Sequence, residues 1–411
     1  MRKFLISAEQ IFTFTSLMLY SGTPLDGFLT DGFTVKEGDR IIFRLLYTLT
    51  YIVSLSLIAL RWKKVTYAFS KDKFIWLLIG VSALSIFWSL DPDITVRRVI
   101  GLSGTTIFGL YLASRYTLKQ QLKLCAYMLA VSIVMCLLFV IFLPQIGIDP
   151  AFNSWRGIFP TKNVLGKRFV LSAAIFLFLA ITSKENRLVL WLGYITSGVL
   201  ILLSQSATSL LNFIIITVAF IVYCRILHLE YKVFIPVLTF ISTLSIAFYY
   251  WFISQGDSIL GLVGKDATLT GRAELWPVVL EMIGKKPWLG YGYGVFWEKS
   301  SESSIVLQTV QWDAPNAHNG FLDLWLSLGL LGFLVFIIGF VINLFKAIYL
   351  IRRNQTSESI WLLVYLTFMI LSNLTESTLL VQNSMEWVLY VAAILSSQLY
   401  YARESLKLES I

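Results

Sequence analysis

Charged side chains are scarce in this chain: Asp, Glu, Lys and Arg make up 14% of it, against 57% apolar residues and a mean hydropathy of +0.75. A soluble globule is excluded, because so few charges cannot cover the water-facing surface of 411 residues. Cysteine is nearly absent, and Cys125, Cys136 and Cys224 all fall inside apolar runs, which excludes a disulfide framework and a zinc site. The sequence has no serine nucleophile elbow, no phosphate-cradling lysine loop, no internal repeat and no low-complexity tract. The formal charge of +9 would suggest nucleic acid only if the cations shared one soluble face, and they are dispersed among apolar runs instead.

Those runs are the dominant feature. They are continuous, as in Leu188 to Leu203 and Val233 to Phe252, which points to helices and not to the short alternating segments of a membrane barrel. The polar breaks between them predict an all-α polytopic membrane protein, residues 1–411 forming one membrane domain with twelve spans. These lie near 6–21, 43–60, 74–89, 98–114, 122–143, 168–182, 188–203, 207–227, 233–253, 321–345, 360–375 and 386–401. Met1-Arg2-Lys3 before the first span has the look of a secretory signal, but Glu9 and Gln10 interrupt it and no small-residue cleavage site follows Tyr20, so a retained helix is expected.

With the N-terminus inside, 19 cations and 7 acids fall on the inner face, a balance of +12, and the outer face is left at −3. The basic balance is therefore a topology signal with both termini cytoplasmic. Cytoplasmic loops are too short for an ATPase or kinase domain. The long extracytoplasmic loop 254–319 and the stretch Pro144 to Lys167 are where chemistry is expected.

Histidine is limited to two positions. His228 sits beside Arg225 and Lys232 in a short inner loop, a solvated setting. His318 ends the long outer loop and opens the span that runs through Gly329 and Gly332. Its imidazole is suited to a general base near neutrality; the competing role is an interfacial histidine that only caps the helix. Helical spacing puts His318 and Gly329 on one face, and the two glycines would admit a second helix. Arg272 precedes Trp276 by four residues, one helical turn, so a guanidinium fork fit for phosphate oxygens can lie against an indole, or the two can merely anchor the loop at the interface. Gly290, Gly292 and Gly294 follow no strand and predict a turn with aromatic rims, not a dinucleotide site.

Arg156, Lys162, Lys167 and Arg168 break the charge bias of the outer face and predict contact with an anion. Asp91-Pro92-Asp93 spells a paired-aspartate metal signature, which Arg97 and Arg98 can neutralise. Glu376 at a span's outer end is either a helix-end residue or the partner of a cation.

Three of these elements together resemble a known family. His318-Asn319, nine residues, then Gly329-Leu-Leu-Gly332 is similar to the His-Asn-x9-Gly-x-x-Gly signature of the O-antigen ligase and polymerase superfamily. Gly271-Arg272-x-x-x-Trp276 resembles its preceding Arg-x-x-x-Trp element, and Trp88-Ser89-x-Asp91-Pro92 with Arg97-Arg98 resembles its early outer loop. The likeness runs from about residue 75 to 380. Ser204 to Leu210 lacks the arginine that ligases place there, while Arg156, Lys162 and the Gly-Tyr-Gly-Tyr-Gly run resemble the exopolysaccharide polymerase branch of the succinoglycan type, with Thr161 where relatives of that branch often carry histidine.

The resemblance implies a multispanning, GT-C-like glycosyltransferase of the bacterial inner membrane that needs neither metal nor cofactor. Its donor would be an undecaprenyl-pyrophosphate-linked oligosaccharide, with a lipid-linked repeat unit as acceptor and a chain-length regulator and flippase as partners; nucleic acid has no part in it. His318 would be the base, with Arg272, Arg156, Lys162, Arg97, Arg98, Trp276, Asn319 and Glu376 binding substrate on the extracytoplasmic side. Ligation of glycan to lipid A core is the alternative within the superfamily. A glycan flippase or transporter, from another class, would need charges along its mid-membrane path, and the span middles have almost none.

Overall fold

The computed structural model describes residues 2–22, 37–150, 152–226, isolated positions between 232 and 247, 270–298, 301–354 and 357–409. His228, most of the expected span 233–253 and the first part of the long loop lie outside the described residues. The chain is helical: α1 is Arg2–Tyr20, α2 Glu37–Ala59, α3 Trp62–Lys71, α4 Lys73–Leu84, α5 Pro92–Arg115, α6 Leu118–Phe142, α7 Lys162–Thr182, α8 Arg187–Ser204 and α9 Ala207–Ile226. Beyond the undescribed segment come α10 Thr270–Lys285, α11 Ser301–Val310, α12 Gly320–Asn354, α13 Ser357–Asn373 and α14 Met385–Glu409. A hairpin of two-residue strands, β1 Ile148–Asp149 against β2 Ser154–Trp155, lies in the connection between α6 and α7.

Each expected span other than 233–253 coincides with one of these helices. Among the described residues six are long and apolar enough to cross a membrane: Ile41–Ala59, Leu118–Phe142, Lys162–Thr182, Arg187–Ser204, Ala207–Arg225 and Gly320–Arg352. The protein is an all-α membrane protein. Helices α3 and α11 were not anticipated, because both are short and contain no long apolar run.

Helix α7 is the axis of the bundle. It is apolar all round, from Phe169 to Ala180, and nearly every one of those side chains is buried, as a helix with no polar face must be. Helix α8 packs along it, and α9 and α13 close the other sides. Its single buried cation, Arg168, faces Glu386 of α14 at 3.4 Å. A charge inside an apolar bundle survives only with a partner, so one of the four outer cations already has its anion within the chain.

Every ion pair among the described residues joins two groups that hydropathy places on the same face. Glu9 binds Arg61 at 2.7 Å and Arg115 at 2.9 Å, and Lys123 meets Glu185 at 3.4 Å, all from the set read as inner. Arg98–Glu298, Arg272–Glu376, Lys285–Glu281 and Arg168–Glu386 come from the set read as outer. Alternating spans and short loops produce this sorting without further help.

Candidate active site

Helix α12 is broken at Gly329, whose φ of 64° and ψ of −169° lie outside the helical region, a conformation that glycine alone adopts without strain. A break frees backbone groups, and in an apolar setting each must find a partner. The loop after α10 supplies them. Tyr291 N–H donates to Leu326 O at 2.8 Å and Gly292 N–H to Ser327 O at 3.0 Å, while Leu330 N–H and Leu331 N–H donate to Pro287 O and Trp288 O at 2.8 and 3.2 Å. The turn is thus stitched into the gap from both sides. A Cβ on Gly329 would overlap the Trp288 carbonyl, so it is a loop, and not the second helix expected from the sequence, that this glycine admits.

The same loop carries Gly290, Gly292 and Gly294, all with positive φ. Its rim is aromatic, as anticipated: the Tyr291 hydroxyl donates to Met282 O at 2.8 Å, and the Trp88 indole N–H to Leu289 O at 2.8 Å. Burial pushes the Tyr291 phenol up from its ordinary value.

His318 does not share a helical face with Gly329. It precedes α12 with a φ of 47°, outside the helix, and its N–H donates to Asn316 Oδ1 at 2.8 Å. Helix α12 starts at Gly320 because Asn319 Oδ1 accepts Phe321 N–H at 3.0 Å and Leu322 N–H at 3.3 Å, an N-cap. Just inside the first turn, Asp323 pulls the loop into place: its carboxylate accepts Ala317 N–H at 3.1 Å, the Trp297 indole at 2.6 Å and the Ser377 hydroxyl. From the other side, Trp276 Nε1 donates to Ala317 O at 3.0 Å. The residue before the histidine is held at both its amide and its carbonyl.

The half-buried imidazole of His318 stacks on Trp312, with ring centroids 5.9 Å apart, and its Nδ1 has no hydrogen-bond partner among the described residues. Arg272, itself buried, reaches Glu376 at 3.5 Å. Both charges act on the histidine. Burial lowers its pKa below 6.5, the Glu376 carboxylate pulls it back up, and Arg272 and Lys167 push it down again. Near neutral pH the ring is therefore uncharged and able to accept a proton.

Glu376 owes its position to Asn373, whose Oδ1 accepts Thr378 N–H at 2.8 Å and Leu379 N–H at 2.9 Å and so folds the turn after α13. Gly320 N–H then donates to Glu376 O at 3.2 Å.

Of the expected site residues, the structure brings together His318, Arg272, Trp276, Asn319 and Glu376. The others are engaged with other groups. Arg156 Nε donates to Ile146 O at 2.8 Å across the β-hairpin, and Lys162 Nζ lies 3.8 Å from the centroid of the Phe152 ring. Arg98 bonds Gly294 O and Glu298, and Arg97 Nε donates to Asp93 O at 3.2 Å. Asp91 Oδ1 caps α5 by accepting Ile94 N–H at 2.9 Å, and no three His, Cys, Asp or Glu side chains converge as metal ligands among the described residues.

Sequence reasoning passed over Asp323, Lys167 as an influence on the histidine, and Trp312. Asp323 had a usable signal, being an acid in the first turn of an otherwise apolar span. Trp312 had none.

Residues 192–337 match the family model described as O-antigen ligase. Over that stretch the chain is similar to O-antigen ligases. The matched stretch takes in Arg272, Trp276, His318, Asn319 and the whole break in α12, and it leaves Arg97, Arg98, Arg156, Lys162 and Glu376 outside. A longer likeness reaches the exopolysaccharide production protein ExoQ of Rhizobium meliloti (strain 1021). That protein is 26% identical over 304 residues, covering 69% of this chain and 67% of the relative.

Proposed function

We propose that this protein is a polysaccharide polymerase: it transfers a growing glycan from undecaprenyl pyrophosphate to a lipid-linked repeat unit at the outer face of the bacterial inner membrane. The observation that carries the reading is the placement of His318, its Nδ1 without a hydrogen-bond partner among the described residues, beside the buried Arg272–Glu376 pair. In the step envisaged, an acceptor sugar hydroxyl attacks the anomeric carbon of the donor glycan and gives its proton to His318. The bond from that carbon to the pyrophosphate oxygen breaks, and the lipid pyrophosphate leaves with the electron pair. Arg272 shares the growing negative charge through two parallel N–H donors. Neither metal nor cofactor is needed.

An apolar groove of about 220 Å³ supports the lipid side of this reading. It is lined by Phe321, Phe336, Phe340, Met369, Leu374 and Leu379. Phe321 is three residues beyond His318, and Leu374 and Leu379 bracket Glu376, so an isoprenoid chain in the groove would leave its pyrophosphate at the charged pair. In this picture the chain has twelve spans in a GT-C-like arrangement, both termini cytoplasmic, with the loop 254–319 outside. The likeness to an exopolysaccharide production protein favours polymerisation over ligation to lipid A core.

The test is His318→Ala in cells that depend on this protein for polymer. Polymer should be lost while membrane abundance is unchanged. Polymer of normal length at matched abundance would remove the histidine as the base and with it the reading.

A further inference from the structure

A second cationic cleft lies on the far side of the loop that fills the break in α12. It encloses about 630 Å³ between α2, α5 and the turn that leads into α14, and Arg44, Arg97 and Arg98 all line it. Glu298 is the acid in its wall, and it is taken by Arg98. Neither Arg44 nor Arg97 forms an ion pair with a carboxylate among the described residues, so within that set the cleft holds two guanidinium groups and no acid that pairs with them. Tyr51, whose hydroxyl donates to Asn383 Oδ1, closes its floor. On the open side the wall continues into Leu45, Leu49 and Ile52 of α2 and Ile100 of α5, all exposed; in a membrane protein these face the bilayer. A basic pocket between spans with an apolar side opening suits a lipid with a phosphorylated head.

Two chain segments join this cleft to the histidine. The loop 286–298 offers Glu298 to Arg98, and one residue earlier Trp297 binds Asp323, which holds the amide before His318. The turn after α13 carries Glu376 into the histidine site and ends with Gln382 and Asn383 in the cleft. The cleft and the histidine site thus share two chain segments.

We infer that the cleft holds the polyprenyl pyrophosphate of the acceptor, while Arg272 holds that of the donor. This inference rests on the polymerase reading, because in a polymerase, unlike a ligase, both substrates carry a polyprenyl pyrophosphate. A guanidinium fork matches a pyrophosphate, and two of them within one cleft match its charge. With each carrier seated at its own site, the two glycans meet over the loop at His318.

Binding can be measured apart from catalysis by native mass spectrometry on the full chain in detergent, with geranylgeranyl pyrophosphate as a sugar-free probe. The wild type should bind two per chain. Arg44→Gln with Arg97→Gln should bind one, as should Arg272→Gln, and the paired Arg-to-Lys variant should retain weakened binding in the cleft, which guards against a folding defect. Two full-strength sites in the glutamine double variant would overturn the assignment. So would displacement of the cleft probe by phosphatidylglycerol at equal concentration, which would mark a site for bulk anionic lipid. In a transfer assay the double variant should raise the KM for acceptor roughly tenfold or more and leave the donor KM unchanged; an unchanged acceptor KM would also overturn the inference. A chain that binds two probes but transfers no glycan would instead refute the polymerase reading while leaving the cleft as a pyrophosphate site.

Discussion

Asp323 accepts the backbone N–H of Ala317 at 3.1 Å, so an acid just inside a membrane helix fixes the residue before the histidine. Its other acceptor positions are filled by Trp297 and Ser377, and every partner is a donor. Asp323→Asn would set an NH2 group against donors. Each charge-assisted bond weakened costs about 1.5–3 kcal/mol, so turnover should fall at least tenfold with the protein still inserted. Wild-type turnover in this variant would show that the loop does not depend on that carboxylate.

The histidine's environment predicts the acid side of the pH profile. Burial, together with Arg272 and Lys167, holds His318 below 6.5 against the pull of Glu376. A base must be unprotonated to work, so kcat/KM should fall as pH drops through a midpoint below 6.5. Glu376→Gln removes the charge that raises the pKa, and the midpoint should move lower still. A midpoint that stays put or rises in this variant would mean that another group sets the limb.

Gly329 and the Trp288 carbonyl leave no room for a Cβ between them. Gly329→Ala must also hold an alanine at a φ of 64°, a strain on the order of 1–3 kcal/mol before any clash is counted. Its thermal midpoint should drop sharply. Gly284→Ala is the control, since a Cβ on that helical residue of α10 meets nothing within 4 Å, and better helix propensity should leave it neutral or slightly stabilised, by up to about 1 kcal/mol. Equal midpoints for the two variants would remove the role given to the break.

Arg272 and Arg156 are separated by their surroundings. Arg272→Lys keeps the charge but loses the two-pronged donor, so turnover should fall by about 1.5–3 kcal/mol in activation free energy, measured with purified lipid-linked donor. Arg156→Lys gives up the bond to Ile146 O and should lower the thermal midpoint more than the rate. Equal losses of rate in both would return Arg156 to pyrophosphate binding.

Much of the architecture was legible in the sequence. Eleven of the twelve expected spans coincide with described helices, because a run of apolar side chains with no water to satisfy its backbone has to become a helix. The sorting of ion pairs by face followed from the same runs. His318, Arg272 and Trp276 stood out as candidates through their spacing in the chain.

Tertiary structure alone decided what those residues touch. Local spacing put His318 and Gly329 on one continuous helical face; the chain breaks there instead, because a loop some 40 residues earlier supplies four hydrogen bonds to the gap. Glu376 had two open roles in the sequence, and only the folded turn around Asn373 sets it against Arg272, 104 residues away. The four outer cations read as one cluster, yet Arg168 turns inward to Glu386 while Arg156 braces a hairpin. Hydropathy is a property of neighbours in the chain, whereas a partner for a buried charge or a freed carbonyl is chosen by what packing brings within about 3 Å.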